Sequence, residues 1–122
     1  MNLSGKVVLV VDDEAEIRDI FSYELDYLGA KSVQASNGKE GFELFQNGKF
    51  DLVISDIRMP GGDGMQLLKL IREKNPQSPP VILLTGFADT TREGALKAGA
   101  ANLFAKPFKL EEVFEFISSL PD

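Results

Sequence analysis

Apolar residues in this chain follow two patterns that alternate along its length. Short unbroken runs occur at Val7–Val11, Leu52–Ile54 and Val81–Leu84, with weaker ones at Ser32–Ala35 and Asn102–Ala105. Continuous Val/Ile/Leu runs of this length predict strands covered on both faces, as in a parallel sheet. Between them the spacing lengthens to three and four residues, which gathers side chains on one helix face. Ile17, Ile20, Phe21, Leu25 and Leu28 mark the first such segment, Phe42 and Phe45 the second, and Met65, Leu67, Leu68 and Ile71 the third. Ala95, Leu96 and Ala98 mark a fourth, weakened by Gly94. Leu110, Val113, Phe114 and Ile117 mark a fifth, with Glu111 and Glu112 in its first turn, where the helix dipole favours acids.

The punctuation agrees with five strand–helix units. Gly29, Gly48 and Gly99 each follow a helical segment, where a left-handed C-cap suits glycine. Asn75-Pro76 and Pro79-Pro80 stop the third helix by removing donors and restricting backbone angles. Right-handed crossovers then give one doubly wound (βα)5 domain over residues 1–122, an α/β fold with a five-stranded parallel sheet. The flavodoxin-like strand order 2-1-3-4-5 is the expected one.

Composition narrows the function. The formal charge of −6 argues against nucleic acid or an anionic membrane as a direct partner. The absence of cysteine and histidine excludes disulfides, thiolate or imidazole metal sites and Ser-His-Asp chemistry on this chain. With no signal peptide and no apolar span visible, the expected location is the cytoplasm.

Sites in such sheets form beyond the carboxyl ends of the strands. Strand 1 ends in Asp12-Asp13-Glu14, strand 3 in Asp56, strand 4 in Thr85-Gly86 and strand 5 in Lys106-Pro107. Three carboxylates, a hydroxyl and an ammonium therefore converge on one pocket. Clustered carboxylates repel, and a hard divalent cation relieves the repulsion. Oxygen-only donors with room for water point to Mg²⁺, or Mn²⁺ in its place. A carboxylate beside a metal, a hydroxyl and an ammonium suits phosphoryl acceptance, and central Asp56 is the best nucleophile.

The segments "VLVVDDE" (8–14), "DLVISDIRMPGGDG" (51–64), "VILLTGFAD" (81–89) and "AGAANLFAKPF" (98–108) occur in order, each at a strand end. With them the whole chain resembles the receiver domain of bacterial two-component response regulators. The resemblance implies that Asp56 is phosphorylated by the phosphohistidine of a histidine kinase or histidine phosphotransfer protein, and that an as yet unidentified protein target reads the change. It implies that Asp13, Asp56 and the backbone carbonyl of Arg58 ligate Mg²⁺, with Asp12 helping through water. It implies that Lys106 and the Thr85 hydroxyl hold the phosphoryl group, and that the bond before Pro107 is cis.

Each residue also has a plainer use. Asp12 and Asp13 suit a helix N-cap and first-turn acid, and Asp56 alone suits a turn. Thr85 alone simply suits a strand, and Lys106 alone a solvated surface. Asp63 is expected to cap the third helix, with Gly64 at positive φ. Gly86 leaves room beside Thr85. The phenylalanines at 42, 45, 104, 114 and 116 read as core.

Four positions depart from, or tune, the family pattern. Leu103 stands where the family usually has Tyr, Phe or His three residues before the lysine, which predicts altered transmission from Asp56. Phe104 is expected to point the other way, into the core. Lys109 stands where the last helix would want a Ser, Thr or Asp cap, and Arg58 and Phe87 flank the pocket mouth and predict a long-lived phosphoryl group.

Other functions fit less well. A haloacid-dehalogenase-like phosphatase needs an acid two residues after its nucleophile, where Arg58 stands. A flavodoxin-like cofactor binder needs a phosphate-holding first loop, and this one is acidic. A phosphorylation-independent interaction module keeps the fold without the chemistry, and Leu103 leaves it open.

Overall fold

The computed structural model describes residues 1–86 and 90–121. Ten elements alternate: β1 (Val7–Val11), α1 (Ala15–Tyr27), β2 (Lys31–Ala35), α2 (Gly38–Gln46), β3 (Leu52–Asp56), α3 (Gly64–Lys74), β4 (Val81–Thr85), α4 (Arg92–Lys97), β5 (Asn102–Ala105) and α5 (Leu110–Ser119). The strands form one parallel sheet in the order β2-β1-β3-β4-β5, as the sequence predicts.

Side chains alternate across each strand, so the sheet divides the core in two. Leu9, Val11, Val53, Val81, Leu83 and Leu103 face α2, α3 and α4, where they meet Leu67, Leu68 and Ile71. Val8, Val10, Leu52, Ile54, Ile82 and Leu84 face α1 and α5 and meet Phe21, Leu25, Val113, Phe114 and Ile117. Phe21 anchors this second layer. It is fully buried, with the rings of Phe108 and Phe114 at 5.6 and 6.0 Å.

The phenylalanines at 42, 45, 104, 114 and 116 all join one core layer or the other, though only Phe114 is buried and the others are half-buried. Phe104 turns to the α1/α5 layer, edge-on to Phe116 at 6.1 Å. Leu103 is buried in the opposite layer, 6 % exposed.

Several local expectations change. Gly29 and Gly99 take positive φ (93° and 105°) after their helices, but Gly48 does not. Gly48 instead packs tightly: a Cβ there would come 3.1 Å from the Phe50 ring. Gly64 also lacks positive φ. It opens α3, and a Cβ on it would collide with the Asp56 carbonyl, so glycine is there for close approach of backbones. Asp63 caps α3 as expected, its Oδ1 accepting from the Gln66 amide at 2.8 Å. The N-cap of α1 is Glu14, not Asp12 or Asp13. Lys109 caps α5 without a side-chain hydrogen bond. No helix among the described residues is long and apolar enough to cross a membrane.

Candidate functional site

Register brings the chemistry together. Val11 lies opposite Ser55, so the next residues along, Asp12 and Asp56, leave the sheet side by side. Asp56 pairs with Leu84, and Thr85 with Ala105, so Thr85 and Lys106 follow one step further on. Backbone bonds continue the ladder past the strand ends: Ile57 N–H donates to the Leu84 carbonyl at 2.9 Å, and Lys106 N–H to that of Thr85 at 2.6 Å.

Asp12 and Asp56 are buried, and each carboxylate is held by a backbone amide. The Glu14 amide donates to Asp12 Oδ1 at 2.9 Å, and the Ile57 amide to Asp56 Oδ1 at 3.0 Å. Lys106 Nζ bridges the remaining oxygens, 3.3 Å from Asp12 Oδ2 and 3.4 Å from Asp56 Oδ2. It also lies 3.6 Å from Glu14 Oε1, a partner the sequence reading did not name. The peptide bond before Pro107 is cis. Thr85 is buried at the end of β4, while Asp13 and Arg58 are exposed. A Cβ at Gly86 would meet nothing within 4 Å, so the space beside Thr85 is open. Phe87, the other expected flank of the pocket, lies outside the described residues.

The electrostatics follow from burial. Loss of water pushes the Asp12 carboxyl above its ordinary value of 3.8, and repulsion from Asp56 adds to this against the Glu14 amide and Lys106. Burial raises Asp56 as well; Lys106 and the Ile57 amide oppose it, and Asp13 reinforces it. Burial alone would lower Lys106, but the attraction of Asp12 and Asp56 outweighs that and holds its ammonium above the ordinary lysine range. Two buried acids are thus left short of compensating charge.

One carboxylate oxygen each from Asp12, Asp13 and Asp56 lies within 4.8 Å of the others. This all-oxygen set, with Asp13 open to water, fits a hard divalent cation such as Mg²⁺ better than a soft one. Residues from three strand ends thus form a single acidic site with one lysine inside it.

A doubly wound α/β domain with an acidic cluster at its strand ends is the class that fold and site define. Residues 8–118 match the family model for the response regulator receiver domain. The chain is 35 % identical over 118 residues to the response regulator protein PilR of Pseudomonas aeruginosa, covering 96 % of this chain and 26 % of PilR. Among solved structures, it is similar to the response regulator protein TrrA of Thermotoga maritima in complex with Mg²⁺-BeF, with 36 % identity and a TM-score of 0.84 over 95 % of this chain and 99 % of that one. It is also similar to the CheX-CheY-BeF3-Mg complex of Borrelia burgdorferi, with 25 % identity and a TM-score of 0.87 over 95 % and 89 % of the two chains. The chain belongs to the response regulator receiver domain family, a family of signalling domains rather than dedicated enzymes. It spans about a quarter to a half of the length of the curated relatives it matches.

Proposed function

We propose that this domain is a cytoplasmic phosphoryl-accepting switch, with Asp56 as the acceptor and the phosphohistidine of a histidine kinase or phosphotransfer protein as the donor. The convergence of the Asp12, Asp13 and Asp56 oxygens within 4.8 Å of one another, around Lys106, carries the reading. Asp13, Asp56 and the Arg58 carbonyl would hold Mg²⁺, with Asp12 contributing through water. When bound, Mg²⁺ draws together carboxylate and phosphoryl oxygens that otherwise repel.

The protein's own groups do the rest. An Asp56 carboxylate oxygen attacks phosphorus; as the O–P bond forms, the P–N bond breaks. Its electron pair returns to the imidazole, which leaves and takes up a proton. Lys106 Nζ, already 3.4 Å from Asp56 Oδ2, then pairs with a phosphoryl oxygen. The Thr85 hydroxyl, at the end of the neighbouring strand, donates to another. Water later attacks phosphorus slowly, breaking the O–P bond to release inorganic phosphate and return the Asp56 carboxylate, and exposed Arg58 shields the group from it. The phosphorylated domain presents an altered surface to a protein target.

Incubation with acetyl phosphate and Mg²⁺ tests this. An acid-stable, base-labile phosphate should appear on the wild type and not on Asp56→Asn. A second reading, an interaction module that works without phosphorylation, draws on Leu103, whose buried aliphatic side chain stands where the family places an aromatic. Absence of label on the wild type would favour it.

A further inference from the structure

Of the three clustered acids, only Asp12 and Asp56 have carboxylates tied down by hydrogen bonds. Asp13 is exposed and makes no side-chain hydrogen bond among the described residues. Its position is therefore set by the backbone that carries it, above all by the peptide joining it to Asp12. Both sides of Asp12 are fixed. Its amide donates to the Ala35 carbonyl at 3.1 Å, and its carbonyl accepts from Arg18 Nη1 at 2.7 Å. That carbonyl belongs to the Asp12–Asp13 peptide, so the Arg18 guanidinium sets the plane from which the Asp13 side chain departs.

Arg18 is itself held. Its Nε donates to Gln34 Oε1 at 3.0 Å. The Gln34 amide nitrogen then donates to Ser22 Oγ at 2.9 Å and Asp19 Oδ1 at 3.1 Å. The chain of bonds runs from edge strand β2 through α1 to the end of β1. Each of its long side chains has given up rotamer freedom that a solvated one would keep. A fork-shaped guanidinium is the one side chain that spans both Gln34 and the Asp12 carbonyl from a single position.

We infer that Arg18, held by Gln34, is a positioning residue for the divalent cation: it orients the Asp12–Asp13 peptide so that Asp13 meets the ion at the right angle. This rests on the Mg²⁺ reading above. Groups that orient ligands from behind typically change metal affinity about 10–100-fold when removed.

The test is Mg²⁺ titration of the whole chain by calorimetry, with the acetyl phosphate labelling rate followed against Mg²⁺ concentration. Arg18→Ala should weaken Mg²⁺ binding about tenfold or more and raise the Mg²⁺ needed for half-maximal labelling in parallel. Its labelling rate at saturating Mg²⁺ should stay within about twofold of wild type, since Arg18 touches no reacting atom. Arg18→Lys, which can still reach the Asp12 carbonyl with one donor, should recover part of the loss. Gln34→Ala should give a smaller loss, and adding it to Arg18→Ala should change nothing further. Should Arg18→Ala fail to fold, Arg18→Lys and Gln34→Ala carry the same comparison. Unchanged Mg²⁺ affinity in these variants, or a lower plateau rate with unchanged affinity, overturns the role of Arg18. A wild type that binds no Mg²⁺ overturns the metal reading and this inference with it, an outcome distinguishable from a wild type that binds normally beside unaffected variants.

Discussion

The two ends of the sheet differ in a way that volume does not predict. At the amino ends of the strands lies a groove of about 740 Å³. Leu3, Phe50, Pro79, Pro80, Ile117 and Leu120 give it apolar walls. Its one acid among the described residues, Asp51, is spent on the backbone, accepting from the Val7 amide at 2.8 Å. At the carboxyl ends the space beside Ile57, Arg58 and Asp63 is smaller, about 570 Å³, yet these ends hold Asp12, Asp13, Asp56, Thr85 and Lys106. In a parallel sheet every strand leaves at this same end and turns toward a helix. The turns bring side chains from separate segments together, and helix N-termini face the space with unpaired amides. Chemistry collects where the chain turns, and room alone marks nothing.

The contrast can be broken first at Asp56. Asp56→Asn should abolish base-labile labelling while the domain still melts cooperatively, as checked by radiolabel and calorimetry. Retained label would move the acceptor to another acid. Next, Lys106→Ala should slow labelling on the order of 10²-fold, because it removes the cation beside the transferred group. A stopped-flow rate close to wild type would deny Lys106 that role. Third, Gly64→Ala drives a methyl into the Asp56 carbonyl and should cost about 1–3 kcal/mol in denaturant unfolding. It should also slow labelling, because the clash sits under the acceptor.

A subtler test uses pH without metal. Burial raises Asp12 and Asp56 above 3.8, so in this range the folded chain binds protons more readily than the unfolded one. Stability from these two groups therefore rises as pH falls from neutral toward 3.8. In EDTA, the wild type should gain melting temperature over Asp56→Asn across that window; a constant gap would contradict the burial argument. Saturating Mg²⁺ at neutral pH should act in the same direction, by about 2.7 kcal/mol at a hundred times its dissociation constant. The smallest effect belongs to the other end. Lys49→Ala, on the rim of the amino-end groove, should leave labelling unchanged and shift stability by no more than about 0.5 kcal/mol.

Much of this architecture was legible in the residues. The runs at Val7–Val11, Leu52–Ile54 and Val81–Leu84 marked the three central strands because burial on both faces leaves no room for alternation. Asp12, Asp13 and Asp56 at their ends, with Lys106 after the fifth strand, then pointed to one pocket. The glycines were harder. Gly48 and Gly64 looked like positions of special backbone angle, but Gly48 lies close against the Phe50 ring and Gly64 is required by the Asp56 backbone eight residues away, which no local pattern reveals. The brace behind Asp12 also escaped notice. Its faint signals were Gln34 between Val33 and Ala35 in β2 and Arg18 beside the buried stripe of α1. Polar side chains in half-buried positions must find partners, yet sequence does not say which.

By itself, then, the sequence determined the five strand–helix units, their parallel order and the acids at their ends. Periodicity and turn chemistry are local, and they act before any long-range contact exists. Only the tertiary structure decided that Lys106 bridges Asp12, Asp56 and Glu14, and that Arg18 grips the Asp12 carbonyl. Those are distances between segments up to 94 residues apart, fixed by sheet register and by the need to pair buried charge.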